Sequence, residues 1–165
     1  MKKIIPLLSL FVVLISSFQV TAQEQWLDKI ELSEYQNKVL YLDFWASWCA
    51  PCRKSFPWLN KMHAKYKDKG LVIIGINVDQ DIQTARRFLN NVPADFHLYS
   101  DSQGVLAQKY EVAAMPSAYL FSVDGKLTDR HLGFKKSQQT VYEASIVKLL
   151  AQLPRNQQSK GSVHE

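Results

Sequence analysis

The chain of 165 residues has only two cysteines, Cys49 and Cys52, and it has neither an internal repeat nor a low-complexity segment. A lone pair at this spacing cannot cross-link distant parts of a fold, because the ring that it closes contains about four residues and removes little chain entropy. A structural disulfide framework is thereby excluded. We therefore expect the pair to serve reversible thiol chemistry rather than stability.

The sequence also lacks a strong charge bias and a dense metal-binding pattern. It has 20 Lys and Arg against 15 Asp and Glu, with no basic stripe that contains interleaved aromatic residues, so we expect no nucleic-acid partner. The four histidines are scattered at His63, His97, His131 and His164, which gives no paired spacing for a zinc site. We predict no metal and no cofactor, although a copper-binding chaperone with Met115 as a further ligand stays an alternative.

The first 22 residues differ from the rest of the chain. Lys2 and Lys3 precede the apolar run 4–18, and Val20-Thr21-Ala22 places small residues just before Gln23. These features predict a secretory signal peptide that is cut before Gln23. The apolar run is shorter than the roughly 20 residues of a spanning helix, although an uncleaved membrane anchor stays an alternative. Export predicts a periplasmic or other extracytoplasmic location, where disulfides persist.

Strand and helix signals alternate along the rest of the chain. Apolar runs rich in β-forming residues predict strands at 39–46, 71–78, 96–99, 117–123 and 126–132. Three- and four-residue apolar spacing predicts helices at 49–67, 81–90, 102–110 and 137–153. Asp124-Gly125 predicts a hairpin turn. We therefore predict one α/β domain at residues 23–153, with a mixed central sheet flanked by helices, and a polar tail at 154–165.

Two sets of apolar side chains are expected to pack on the core. In the lead-in before the first long strand, these are Trp26, Leu27 and Ile30. In the last helix, the predicted apolar side consists of Val141, Ile146, Val147, Leu149 and Leu150.

The spacing of the cysteines suggests how they divide the chemistry. Cys49 stands at the start of a predicted helix, where free backbone N–H groups favour a thiolate. Cys52 lies one turn further on and should be less exposed, so Cys49 would attack a partner's disulfide and Cys52 would resolve the mixed disulfide. Asp43 lies in the middle of the predicted strand 39–46, where burial should raise its pKa. It would then accept the proton of Cys52; the alternative is a purely structural aspartate.

The segment from Phe44 to Lys54, Phe-Trp-Ala-Ser-Trp-Cys-Ala-Pro-Cys-Arg-Lys, followed by Pro57, resembles the thioredoxin superfamily. It is most similar to the exported thioredoxin-like proteins of the TlpA and ResA type, and the resemblance covers about residues 26–153. It implies a thioredoxin-like fold with a central strand–helix insert near Asp79. Ala114-Met115-Pro116-Ser117 matches the loop that carries the family's cis-proline, and Gly133 matches a glycine near the same surface.

The resemblance implies an enzyme, an exported thiol–disulfide oxidoreductase that reduces disulfides in protein partners, for example in cytochrome c maturation. It further implies a membrane thiol donor for re-reduction, and we expect a monomer. Around the cysteines it assigns partner contact or support to Trp48, Ala50, Pro51, Met115, Pro116 and Gly133. The alternative on the same fold is an oxidant that forms disulfides. Ser55 stands where many exported members have an acid. Asp43 stands where they often have Asn, and an Asp at that place resembles thioredoxin itself.

Overall fold

The computed structural model of the chain describes residues 26–27 and 29–154. In this part of the chain, six strands form a single sheet in the order β1-β4-β3-β2-β5-β6. The strands are β1 (Trp26–Leu27), β2 (Val39–Trp45), β3 (Leu71–Asn77), β4 (His97–Ser100), β5 (Ser117–Phe121) and β6 (Leu127–Leu132). The first four in sequence are mutually parallel where they pair, and β5 and β6 are antiparallel to their neighbours, so the predicted mixed α/β sheet is confirmed.

The described residues also form four α-helices and three 3-10 turns. The helices are α1 (Cys52–Tyr66), α2 (Ile82–Leu89), α3 (Val105–Lys109) and α4 (Gln139–Leu150), and the 3-10 turns are Leu32–Tyr35, Lys67–Lys69 and Lys136–Gln138. Between β3 and β5 the chain forms α2, adds β4 next to β3 and then forms α3. This excursion lies where the sequence predicts the strand–helix insert.

Strand β2 is the centre of the core, and all seven of its residues are buried. Successive side chains of a strand point to opposite faces, and β2 accordingly contributes to two apolar clusters. Tyr41 and Trp45 face the cluster formed with α1, α2 and α4, whereas Leu42 and Phe44 face the cluster formed with α3 and the turn Leu32–Tyr35. A continuous apolar run in the sequence therefore corresponds to a strand that is covered on both sides.

Helix α1 packs on the first of these faces through aromatic contacts. The ring of Phe56 lies 5.0 Å from that of Trp45 and 5.2 Å from that of Phe88 on α2, between ring centroids and in edge-on geometry. Such pairs stabilise a fold by about 0.5–1.5 kcal/mol beyond the area that they bury. The helix that begins at the second cysteine is thus packed against the sheet.

The predicted bounds need correction at three helices. The helix expected from Cys49 begins at Cys52, because Cys49 is held in a turn by a hydrogen bond from its N–H to the carbonyl of Ala46, at 3.1 Å. The helix expected at 102–110 is shorter, since Asp101 accepts hydrogen bonds from the first-turn N–H groups of Leu106 and Ala107 and fixes its start.

The last helix, expected at 137–153, spans Gln139–Leu150, and its predicted apolar side is partly wrong. Val141 and Val147 are 58% and 44% exposed. The buried face instead consists of Tyr142, Ile146, Leu149 and Leu150. These positions follow the three- and four-residue spacing of one helix face, which leaves the two valines on the solvent side.

The predicted packing of Trp26, Leu27 and Ile30 against the core is confirmed, and β1 adds to the sheet edge beside β4. The predicted signal peptide at 1–22 lies outside the described residues, as does the polar tail after Pro154. Within 26–27 and 29–154, no helix has the length and apolar character needed to cross a membrane.

Candidate active site

The two cysteines lie in the connection from β2 to α1 and form a disulfide, with Cα atoms 5.3 Å apart. The backbone N–H of Cys52, at the first position of α1, points at Sγ of Cys49 at a distance of 3.2 Å. A helix leaves its first N–H groups without partners in the helix, and here one of them is directed at sulfur. After reduction, the same N–H would stabilise a thiolate on Cys49.

The two sulfur-bearing residues differ little in exposure. Cys49 is 3% exposed and Cys52 is fully buried, which is the predicted order. The segment around them is open, since Ala50 and Pro51 are exposed and Trp48 is 71% exposed. Trp48 and the Ala50-Pro51 turn therefore form an exposed surface, and the disulfide lies just beneath it.

Asp43 lies on β2 between Tyr41 and Trp45, so its side chain shares their face of the sheet. That face belongs to the cluster that contains both cysteines. Its neighbours in register are Gly75 on β3 and Ala118 on β5, which are among the smallest side chains available. The carboxyl group is thus buried with small neighbours on both sides.

Burial raises the pKa of the Asp43 carboxyl group from 3.8 to about 8, because desolvation penalises the charged form. Its Oδ2 atom has no hydrogen-bond partner among the described residues. The rise in pKa agrees with the sequence prediction. A carboxyl group that titrates near neutral pH can both accept and return a proton, which is the property required of a general base.

The Met115-Pro116 loop reaches the same end of the sheet as the cysteines. Strand β5 runs antiparallel to β2, and its first residue, Ser117, pairs with Phe44 near the end of β2. The Met115-Pro116 peptide bond is cis. Met115 packs against the cluster that contains the cysteines. The sequence prediction of a cis-proline at this loop is confirmed.

Gly133 joins this loop from the other side. It follows β6 and its N–H donates to the carbonyl of Pro116 at 2.8 Å. Its φ of +71° lies in the left-handed region, which favours glycine. The structure therefore brings together the cysteine turn, the Met115-Pro116 loop and Gly133 at the end of the sheet where β2 terminates.

Sequence reasoning missed a buried polar network beneath the cysteine turn. The carboxylate of Asp79 accepts hydrogen bonds from the N–H and the hydroxyl of Ser47, at 2.9 and 3.0 Å. It also accepts one from the Asn77 amide at 2.8 Å, and it is only 6% exposed. Asp79 thereby fixes the residues just before Cys49. The only sequence signal was a carboxylate directly after a buried strand, which is typical of many loops.

Ser55, at the position where many exported members have an acid, makes a local contact instead. It is buried, and its hydroxyl donates to the carbonyl of Cys52 at 3.1 Å. In the described part of the chain, no group of three or more His, Cys, Asp or Glu side chains could hold a metal ion.

Comparison with known proteins places this geometry among its relatives. The family model described as Redoxin matches residues 15–147. The thiol-disulfide oxidoreductase ResA of Bacillus thuringiensis subsp. konkukian is 32% identical over 111 residues, which are 67% of this chain and 64% of that protein. The chain therefore matches slightly less than two thirds of the length of this relative.

A solved structure from Chlorobium tepidum, provisionally assigned as a thiol:disulfide interchange protein DsbE, is 42% identical. The match covers 73% of this chain and 86% of that one, with a TM-score of 0.71. A solved structure of StoA from Bacillus subtilis, at 22% identity and a TM-score of 0.57, covers 66% of this chain and 84% of its own, and it shows the shared fold alone.

Proposed function

The chain belongs to the Redoxin family of the thioredoxin superfamily, and on that premise we propose that it is a thiol–disulfide oxidoreductase that reduces disulfides in protein partners. One observation carries the proposal: the Cys49–Cys52 disulfide lies in the layer that also contains the buried Asp43 carboxyl group. A pair meant only for stability would need no titratable group there, and burying one costs free energy. The Met115-Pro116 loop completes the site.

The reaction begins from the reduced dithiol. The Cys49 thiolate attacks one sulfur of the partner's disulfide, that bond breaks, and a mixed disulfide forms while the partner's other sulfur leaves as a thiolate. Cys52 then attacks Sγ of Cys49 and releases the partner as a dithiol. Two electrons pass to the partner, and the protein ends with the Cys49–Cys52 disulfide.

Asp43 would handle the proton of the second step. The Cys52 thiol must lose its proton before it attacks, and a carboxylate with a pKa of about 8 is well matched to a thiol. The same carboxyl group can then return the proton to the departing sulfur. Because the group is buried, the exchange would be shielded from bulk water.

The cellular setting is part of the proposal. Lys2, Lys3 and the apolar run 4–18, followed by small residues before Gln23, support export to the periplasm or another extracytoplasmic compartment. A reductant there needs a membrane thiol donor to restore the dithiol after each cycle. Cytochrome c maturation, in which haem-binding cysteines must stay reduced, is one use that the family resemblance suggests.

A trapping experiment tests the order of attack. Reduced Cys52→Ala protein should form a stable adduct with a disulfide-closed model peptide, because the remaining cysteine attacks but nothing resolves the product. Mass spectrometry after proteolysis should place the peptide on Cys49, and a reductant should release it. The matched control is Cys49→Ala, in which the buried Cys52 should react far more slowly. Equal adduct formation by the two variants would contradict the assigned roles.

A further inference from the structure

A groove lined by basic side chains runs along α1 from its first turn. It has a volume of about 360 Å³, and its walls carry four cations, Arg53, Lys54, Lys61 and Lys136. We call it the basic groove. The first three cations lie on α1 and the fourth lies on the turn Lys136–Gln138 that precedes α4, with Trp58 of α1 between them.

The charge of this groove is not balanced locally. Between Asp43 and Asp68 the sequence has five Lys or Arg and no acid, so α1 carries no carboxylate of its own. The four groove cations are exposed, and none takes part in the ion pairs found among the described residues. Glu143 on α4 is near Lys61, but its carboxylate already binds Lys65 at 2.7 Å.

Two of these cations lie where a helix end disfavours positive charge. Arg53 and Lys54 are in the first turn of α1, which has no acidic residue, and the Arg53 guanidinium stacks over the Phe88 ring of α2 at 4.8 Å from its centroid. The partial positive charge at a helix N-terminus favours anions there, and a cation in that turn costs about 0.3–1 kcal/mol. Residues that oppose a local rule in this way are expected at functional sites. The groove also begins directly beside Cys52.

We propose that the basic groove binds an acidic segment of the protein whose disulfide is reduced. This rests on the proposed function and names the substrate class. From Arg53 to Lys61 the helix rises about 12 Å, which matches about four residues of extended chain. Carboxylates at alternate positions of such a segment would point at the cations while the neighbouring disulfide meets Cys49. A flat anionic membrane fits less well, because Lys136 and α1 form the walls of a concave site.

The test uses short model peptides that each contain one disulfide and carry four-residue extensions on both sides. The extensions are Glu-Gly-Glu-Gly in one peptide and Gln-Gly-Gln-Gly in the other. The rate of reduction by the pre-reduced protein is measured with each, at low and at high salt. We expect the acidic peptide to react about fivefold faster at low ionic strength, and the ratio to approach one in high salt.

The variant Lys54→Gln/Lys61→Gln should lower this ratio, whereas Lys38→Gln/Lys148→Gln, which removes two charges elsewhere, should preserve it. Because both peptides react with the same thiolate, the ratio cancels any change in the reactivity of Cys49.

The remaining outcomes distinguish failure of the basic groove as a binding site from failure of the proposed function. Equal rates for the two peptides with the unmodified protein would overturn the basic groove as a binding site while the proposed function stands. No reduction of either peptide would overturn the proposed function and the groove with it. A third arm uses vesicles of phosphatidylcholine with and without phosphatidylserine. Binding to the anionic vesicles that the groove variant loses, with no preference between peptides, would replace the acidic segment by a membrane surface.

Discussion

Replacing Asp43 by asparagine should stabilise the protein at neutral pH. The carboxyl group titrates at about 8 in the folded protein, against 3.8 when solvated. Between these values the folded chain holds a proton that the unfolded chain has released, so the free energy of unfolding falls by about 1.4 kcal/mol per pH unit as pH rises. At pH 7 the cumulative loss is about 4 kcal/mol. The amide of the variant cannot ionise, so the variant avoids this loss.

The assay is urea unfolding of the oxidised protein at about pH 5 and about pH 7.5, since the disulfide removes both thiols from the titration. The advantage of Asp43→Asn over the unmodified chain should grow by about 3 kcal/mol between the two pH values. Burial lowers the pKa values of His63 and His131. They are present in both proteins, so their contribution cancels in the difference.

The matched control is Glu31→Gln, which makes the same carboxyl-to-amide change at an exposed position. Its stability relative to the unmodified chain should change far less between the two pH values than that of Asp43→Asn. If the difference for Asp43→Asn is equally flat, the buried carboxyl group does not hold its proton, and the argument from desolvation is refuted.

Three further predictions concern the site and its support. Asp43→Asn should also slow release of a peptide from the mixed disulfide near pH 7, as followed by quenched-flow alkylation; unchanged kinetics would make Asp43 purely structural. Asp79→Ala should lower the free energy of unfolding by about 1–3 kcal/mol, because the N–H of Ser47 loses its acceptor, and an unaltered denaturation midpoint would contradict this. Gly75→Ala should cost about 1–3 kcal/mol, because its Cβ would lie 3.0 Å from the ring of Phe96 and 3.1 Å from the indole nitrogen of Trp45. Thermal unfolding of the variant measures this loss of stability. An unchanged melting temperature would show that these rings move aside.

The sheet could be predicted from the sequence because its central strands are apolar on both faces and are separated by clear helix or turn signals. The pairing of β1 with β4 could not be predicted from the sequence, because β1 has only two residues and its contacts are distant in sequence. The start of α1 was misplaced by three residues because cysteine, alanine and proline are all compatible with a first helical turn. The turn at Ala46–Cys49 instead delays the start of α1 to Cys52.

The position and burial of the candidate reacting groups could be predicted because these groups are close in sequence and have distinctive chemistry. Cys49 and Cys52 are adjacent to one strand, and the burial of Asp43 follows from its apolar neighbours. The supporting groups were not predictable in the same way. Asp79 reaches Ser47 from a neighbouring strand end, and Lys136 lines a groove together with residues of α1 that are distant in sequence. Such contacts depend on tertiary packing rather than on local pattern.

The central claim, that the Cys49/Cys52 couple donates electrons to partner disulfides, is tested most directly by its reduction potential. The protein is equilibrated at pH 7 without oxygen in dithiothreitol buffers of graded composition, and the fraction of alkylated thiols is read by mass. If the protein is a reductant, its reduction potential should be closer to that of thioredoxin, about −270 mV, than to that of a strong thiol oxidant, about −120 mV. A value near −120 mV would contradict the claim and make the protein an oxidant that forms disulfides.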